Sequence, residues 1–116
     1  MEGTDIVLKL AKKHDINVGF GSDAYGDLGY ESYALQEFTS RTKWYTPLEV
    51  LKQATSGNAR LLSLSGKINP YTDGKIGVIE EGAYADLLIY DGNPLEDINV
   101  VAIPKKNLKL IMKDEL

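Results

Sequence analysis

Residues 19–26 read Gly19-Phe20-Gly21-Ser22-Asp23-Ala24-Tyr25-Gly26, and the role of Asp23 in that stretch decides what kind of fold surrounds it. Upstream, Ile16 to Gly21 alternates, with Val18 and Phe20 on one side, the period of a short β-strand. Downstream, glycines at 21, 26 and 29 spell a loop. An aspartate just past a strand can bind a metal, belong to a phosphate cradle or cap a helix. Gly19-x-Gly21-x-x-Ala24 fits the dinucleotide pattern G-x-G-x-x-G/A. That pattern needs a helix to open on its last position so that amides meet the pyrophosphate, and Gly26 and Gly29 interrupt it. As a metal ligand, a carboxylate at the C-terminal end of a barrel strand points into the active-site mouth. There it can hold a divalent ion and accept a proton from water. An ordinary loop aspartate is the plain alternative, and residue chemistry alone leaves both open.

The flanking chain alternates helix and strand before Gly66 and turns β-rich after it. Thr4 to His14 predicts a helix with Val7, Leu10 and Ala11 inward and lysines at its C-terminal end. Tyr30 to Arg41 predicts a second, with Ala34, Leu35 and Phe38 inward. Thr46-Pro47-Leu48-Glu49 carries a capping box with proline at the first helical position. The helix it opens is expected to break near Ser56-Gly57, with a short helix over Asn58–Leu64 ended by Gly66. Beyond Gly66, turn signals at Asn69-Pro70, Asp73-Gly74, Glu81-Gly82, Asp91-Gly92 and Asn93-Pro94 separate β-type runs. Those runs are Lys75–Ile79, Leu87–Tyr90, Val100–Ile103 and Leu108–Met112.

With 116 residues, 43% of them hydrophobic and 26% charged, the chain has room for one ordinary domain or pieces of two and is too apolar for disorder. A net charge of −4 disfavours an electrostatic hold on nucleic acid or anionic lipid, since both need clustered cations. Lys105-Lys106 is too short a basic run to change that. The absence of cysteine excludes disulfides and thiolate metal sites. No apolar run approaches the roughly 20 residues of a membrane span, and the first residues lack the pattern of a signal peptide. The C-terminal Lys113-Asp114-Glu115-Leu116 spells a retention address, but nothing in the sequence directs the chain to the secretory path. The match is read as coincidence and the location as cytoplasmic.

"VGFGSDA", "YTPLEVLKQATSGNARLL" and "GKIGVIEEGAYADLLIYDGNPLEDI", in that order, resemble the C-terminal portion of the metal-dependent amidohydrolase superfamily, in particular its imidazolonepropionase-like and prolidase-like members. The resemblance runs from about Asp5 to Met112 and rests on the combination of motifs. It implies an α/β plus β fold. Residues 1–66 would supply the last strand and helices of a TIM-barrel hydrolase, and residues 67–116 the strands of a partial small β-sandwich. It implies hydrolysis of an amide-type C–N bond, cyclic or dipeptide-like, by metal-activated water, in the class of hydrolases acting on carbon–nitrogen bonds other than peptide bonds. Asp23 would be both metal ligand and proton shuttle, and the metal zinc. No cofactor-binding residue beyond Asp23 is expected.

Several family features have no counterpart here. The H-x-H pair, the bridging lysine and two later histidines are missing, and the single histidine, His14, matches no ligand position. A catalytic zinc takes about three protein ligands plus a water, and a barrel takes about 250 residues. The chain is therefore expected to be inactive alone, not to retain the metal, and to be cut at both ends. Its expected partners are missing N-terminal barrel segments or a second copy, besides a small amide substrate. A non-catalytic module, or half of a two-chain assembly, is the second reading, and a nucleotide-binding domain the third. Tyr25, Tyr30, Tyr33 and Trp44 are candidates to line a substrate mouth. Asp86 reads as a turn residue.

Overall fold

The computed structural model describes residues 2–23 and 30–113, with residues 30–32 described by their backbone alone. Tyr25, Gly26, Gly29 and the final Asp114-Glu115-Leu116 of the apparent address lie outside the described residues, as does the side chain of Tyr30.

Helix α1 (Glu2–Lys13) places Glu2 and Asp5 in its first turn and Lys12 and Lys13 in its last, matching the helix dipole at both ends. Its docked face differs from the expected one. Ala11 is buried and Leu8 packs on the core, but Val7 and Leu10 are 62% and 49% exposed. The anchors explain the rotation. The Trp44 indole N–H donates to the Asp5 carboxylate at 2.7 Å, the Tyr45 hydroxyl to the Leu8 carbonyl at 3.3 Å, and the Lys12 ammonium to the Trp44 carbonyl at 2.9 Å. Positions 5, 8 and 12 share one helical face, and that face is the one turned toward residues 44–49.

Helix α2 (Tyr30–Ser40) runs into a 3-10 turn, Arg41–Lys43. Helix α3 (Pro47–Lys52) opens on the capping box that the sequence predicts. The Thr46 hydroxyl accepts from the Glu49 amide at 3.3 Å, and the Glu49 carboxylate accepts from the Thr46 amide at 2.7 Å. The expected break at Ser56-Gly57 is instead a π-helical turn, Gln53–Gly57, leading directly into α4 (Asn58–Ser63). Gly57 makes the turn possible. A β-carbon there would stand 2.9 Å from the Lys52 carbonyl oxygen and 3.2 Å from Asn17 Oδ1.

The second half is less regular than its turn-and-run pattern predicts. Lys75–Ile79 forms no strand, and Lys75 makes only an isolated parallel bridge to Ala83. Gly77, at φ +73°, brings this loop onto the π-turn so closely that a β-carbon would lie 2.7 Å from the Thr55 carbonyl. Strands β1 (Leu87–Tyr90) and β2 (Leu108–Met112) occur where expected and pair antiparallel, with Leu88 opposite Ile111 and Ile89 opposite Leu110. The expected strand Val100–Ile103 is helical: α5 (Asn99–Ala102), followed by α6 (Pro104–Asn107). The Asp97 carboxylate accepts the Asn99 amide at 2.9 Å, starting a turn, and Ile98 and Val101 then meet on one buried face.

The expected strand Ile16–Gly21 does not form: residues 16–23 have no regular secondary structure and pair with no strand among the described residues, and the Ile16 amide instead closes the turn after α1 on the Ala11 carbonyl at 2.9 Å. One core nevertheless gathers the elements. Tyr45, Val50, Ile98 and Val101 are buried together, with Leu8, Phe20, Phe38, Trp44, Leu51 and Tyr90 packed around them. Helices on one side of Gly66 and elements on the other therefore share apolar contacts. No described helix is long and apolar enough to cross a membrane.

Val50 is the fully buried centre of this core. Val50→Ala is expected to lower unfolding free energy by about 2 kcal/mol, read from urea melts, because little around it can collapse into the space. The capping box supplies a pH signature. The Thr46 amide, and then the Lys12 ammonium, hold the Glu49 carboxyl below its ordinary 4.5. A folded-state pKa that is depressed gives stability present above the unfolded value and lost as pH falls through the folded one. Below pH 4.5, Glu49→Gln is therefore expected to lose less stability on acidification than the unaltered chain. Parallel acid limbs in the two melting series would contradict this.

Candidate functional site

The extended segment Ile16–Asp23 ends at the sequence-predicted ligand. Its backbone is held by side chains from the helices that follow. Asn58 Nδ2 donates to the Phe20 carbonyl at 2.9 Å while the Phe20 amide donates to Asn58 Oδ1 at 2.8 Å. The Arg41 guanidinium donates to the Gly19 carbonyl at 2.8 Å. Asn17 Nδ2 donates to the Gly57 carbonyl at 3.0 Å, joining the segment to the π-turn.

Arg41 is 8% exposed and its charge is matched on several sides. It pairs with Glu37 one turn earlier, donates to Gln53 Oε1 at 2.8 Å, and lies 4.8 Å from the centre of the Phe20 ring. Phe20 also stacks on Phe38, with ring centres 4.5 Å apart. A buried guanidinium needs such a set of partners, since an unpaired buried charge costs several kcal/mol.

Past Phe20 the segment opens. A β-carbon at Gly21 would meet nothing within 4 Å. Asp23 is exposed and adopts φ +50°, a left-handed conformation that aspartate tolerates better than most residues. Such conformations recur at ligand and catalytic positions. Its carboxylate is a hard oxygen donor suited to a divalent ion.

The other candidates are dispersed. Among the described residues no three His, Cys, Asp or Glu side chains gather as a metal-binding group. The described donors therefore fit a divalent ion only as one ligand of a larger set. His14 lies exposed in the turn after α1, away from the extended segment's far end. Trp44 packs on the core and is committed to Asp5, whereas Tyr33 is exposed. Asp86 is exposed just before β1. Sequence reading missed the residues that hold the segment: Asn17, Arg41 and Asn58. Of these only Arg41 left a local trace, its spacing of four from Glu37 on one helix.

A cleft that the segment lines with Ile16, Asn17 and Val18 is polar. It has a volume of about 350 Å³ and is lined by Asp15, Asn17, Lys12, Glu49, Lys52 and Arg60, among others. Lys12 and Glu49 pair across it at 3.0 Å. It shares no residue with the Gly21–Asp23 rim.

The chain is similar to an uncharacterised protein of known structure, at 33% identity and a TM-score of 0.77, covering 95% of this chain and 25% of that one. An amidohydrolase crystal structure aligns at 29% identity and a TM-score of 0.77, over 95% of this chain and 24% of that one. A prolidase complexed with N-methylphosphonate-L-proline aligns at 33% identity and a TM-score of 0.77, again over 95% and 24%. The chain thus spans about a quarter of the length of the solved structures it matches. No curated protein matches it. The amidohydrolase family matches residues 2–115, nearly the whole sequence, and the chain belongs to that family.

Proposed function

We propose that this chain is the C-terminal portion of a metal-dependent amidohydrolase and contributes Asp23 to its active site. In this reading residues 1–66 carry the last barrel strand, Ile16–Gly21, with its following helices. Residues 67–116 contribute β1 and β2 to a composite sandwich. The observation that carries the reading is Asp23 at left-handed φ at the open end of the extended segment, in a chain matched to the family from end to end.

The reaction is hydrolysis of an amide-type C–N bond in a small substrate. Similarity to a prolidase favours a dipeptide-like substrate over a cyclic amide. A divalent ion, zinc by family resemblance, supplies a water acidic enough to attack at neutral pH. Asp23 serves as one oxygen ligand, takes a proton from that water and delivers it to the leaving nitrogen.

Asp23 alone cannot hold a catalytic ion, which needs about three protein ligands. The remaining ligands come from other segments, either of a longer chain or of a companion. The exposed aliphatics of α1 (Ile6, Val7, Leu10), Ile16, and Leu88, Ile89, Leu110 and Ile111 of the sheet support such a companion, since packed segments would cover them. The same surface supports the second reading, a non-catalytic half of a two-chain assembly. A cytoplasmic location goes with either.

Two experiments test the proposal. The purified 116-residue chain, supplied with zinc and Xaa-Pro dipeptides, is expected to show no turnover. Robust metal-dependent hydrolysis would refute the partial-site reading. In an assembly that carries the remaining ligands, Asp23→Asn is expected to lower kcat by about 10²–10⁴-fold with little change in KM. A kcat near that of the unaltered assembly would remove Asp23 from the mechanism.

A further inference from the structure

We propose that Asn58 is a positioning residue for Asp23, an inference that rests on the role just given to that carboxylate. A primary carboxamide can present an N–H donor and its oxygen acceptor side by side in one plane, the same pair that a peptide edge presents. Asn58 uses both on a single residue, taking the Phe20 carbonyl and the Phe20 amide at 2.9 and 2.8 Å. It therefore stands where a neighbouring strand would pair, and it closes that edge of the segment at Phe20. The backbone is thereby fixed at Phe20, three residues before Asp23.

The clamp is itself fixed. Asn58 is the first residue of α4, immediately after the π-turn, and its neighbour Gly57 is held through its carbonyl by Asn17. Arg41 holds Gly19, the residue before the pairing, from a buried site with its own partners. Three contacts, at positions 17, 19 and 20, thus set the direction in which the backbone leaves Phe20. A π-turn beside such a point fits the tendency of these turns to occur at functional sites. The carboxamide bonds the Phe20 backbone, three residues short of Asp23, so its effect on Asp23 runs through the backbone.

The test uses the full chain, without metal or substrate, by NMR. Amide exchange of Phe20 reads the clamp, the amide-to-Hα coupling of Asp23 reads its φ, and amide exchange of Val50 and Val101 reads the core. Asn58→Leu, which keeps size and removes both polar atoms, is expected to speed Phe20 exchange by about tenfold, as loss of a half-buried hydrogen bond does. It is also expected to move the Asp23 coupling, with Val50 and Val101 protected as before. Asn58→Asp keeps an acceptor for the Phe20 amide and loses the donor. It is expected to protect Phe20 better than Asn58→Leu while still shifting Asp23.

Unchanged Phe20 exchange or an unchanged Asp23 coupling in Asn58→Leu would overturn the positioning role. Equal loss of protection at Phe20, Val50 and Val101 would assign Asn58 to general stability and overturn it as well. If Asn58→Leu behaves as expected but Asp23→Asn leaves turnover of the complete assembly intact, positioning stands and the catalytic reading of Asp23 falls.

Discussion

A segment that pairs with no strand among the described residues still carries donors and acceptors that must be satisfied. In this chain the burden falls on side chains. The carboxamide of Asn58 replaces a strand at Phe20, and the guanidinium of Arg41 replaces one at Gly19. Everything near the candidate site depends on this substitution. It seats the Phe20 ring against Phe38 and the core, it docks the segment on the π-turn, and it leaves Gly21–Asp23 open.

The rest of the structure follows from a small core with wide margins. Val50 is its fully buried member, and the surrounding side chains come from α1, the extended segment, α2, α3, β1 and α5. That mixture binds the helical first half to the second half through shared packing. Elsewhere the chain is thinly covered. A two-stranded sheet is marginal by itself, and both strands of this one carry exposed aliphatics. Membership of the amidohydrolase family, whose matched structures are about four times longer, gives that exposure a context.

Local features were legible in the sequence. Thr46, Pro47 and Glu49 form the capping box that their spacing specifies, because every interaction in it spans three residues. The runs Leu87–Tyr90 and Leu108–Met112 are strands as read. Val100–Ile103 is not a strand, because Asp97 starts a turn and the spacing of Ile98 and Val101 suits one helical face. β-Branched composition outweighed period in that reading. The inward face of α1 was misjudged for a different reason. Docking is set by Trp44, Tyr45 and their partners on Asp5, Leu8 and Lys12, more than 30 residues away. The clamp on the extended segment was invisible on the same ground, since Asn58 meets Phe20 across 38 positions. Asp23 itself was legible as a candidate, because a strand period ends and glycines begin beside it.

The π-turn has a consequence for how this region tolerates change in length. A π-turn holds one more residue than the α-helical path it replaces. The turn therefore carries one residue of slack: with it deleted, ordinary winding would still bring Asn58 to about the same side of the axis. A further residue inserted between Gln53 and Gly57 has no such slack and would rotate α4 by about 100°, carrying Asn58 away from Phe20 although no residue of the clamp had been altered. The spacing from Thr46 to Asn58 should therefore tolerate the loss of one residue better than the gain of one.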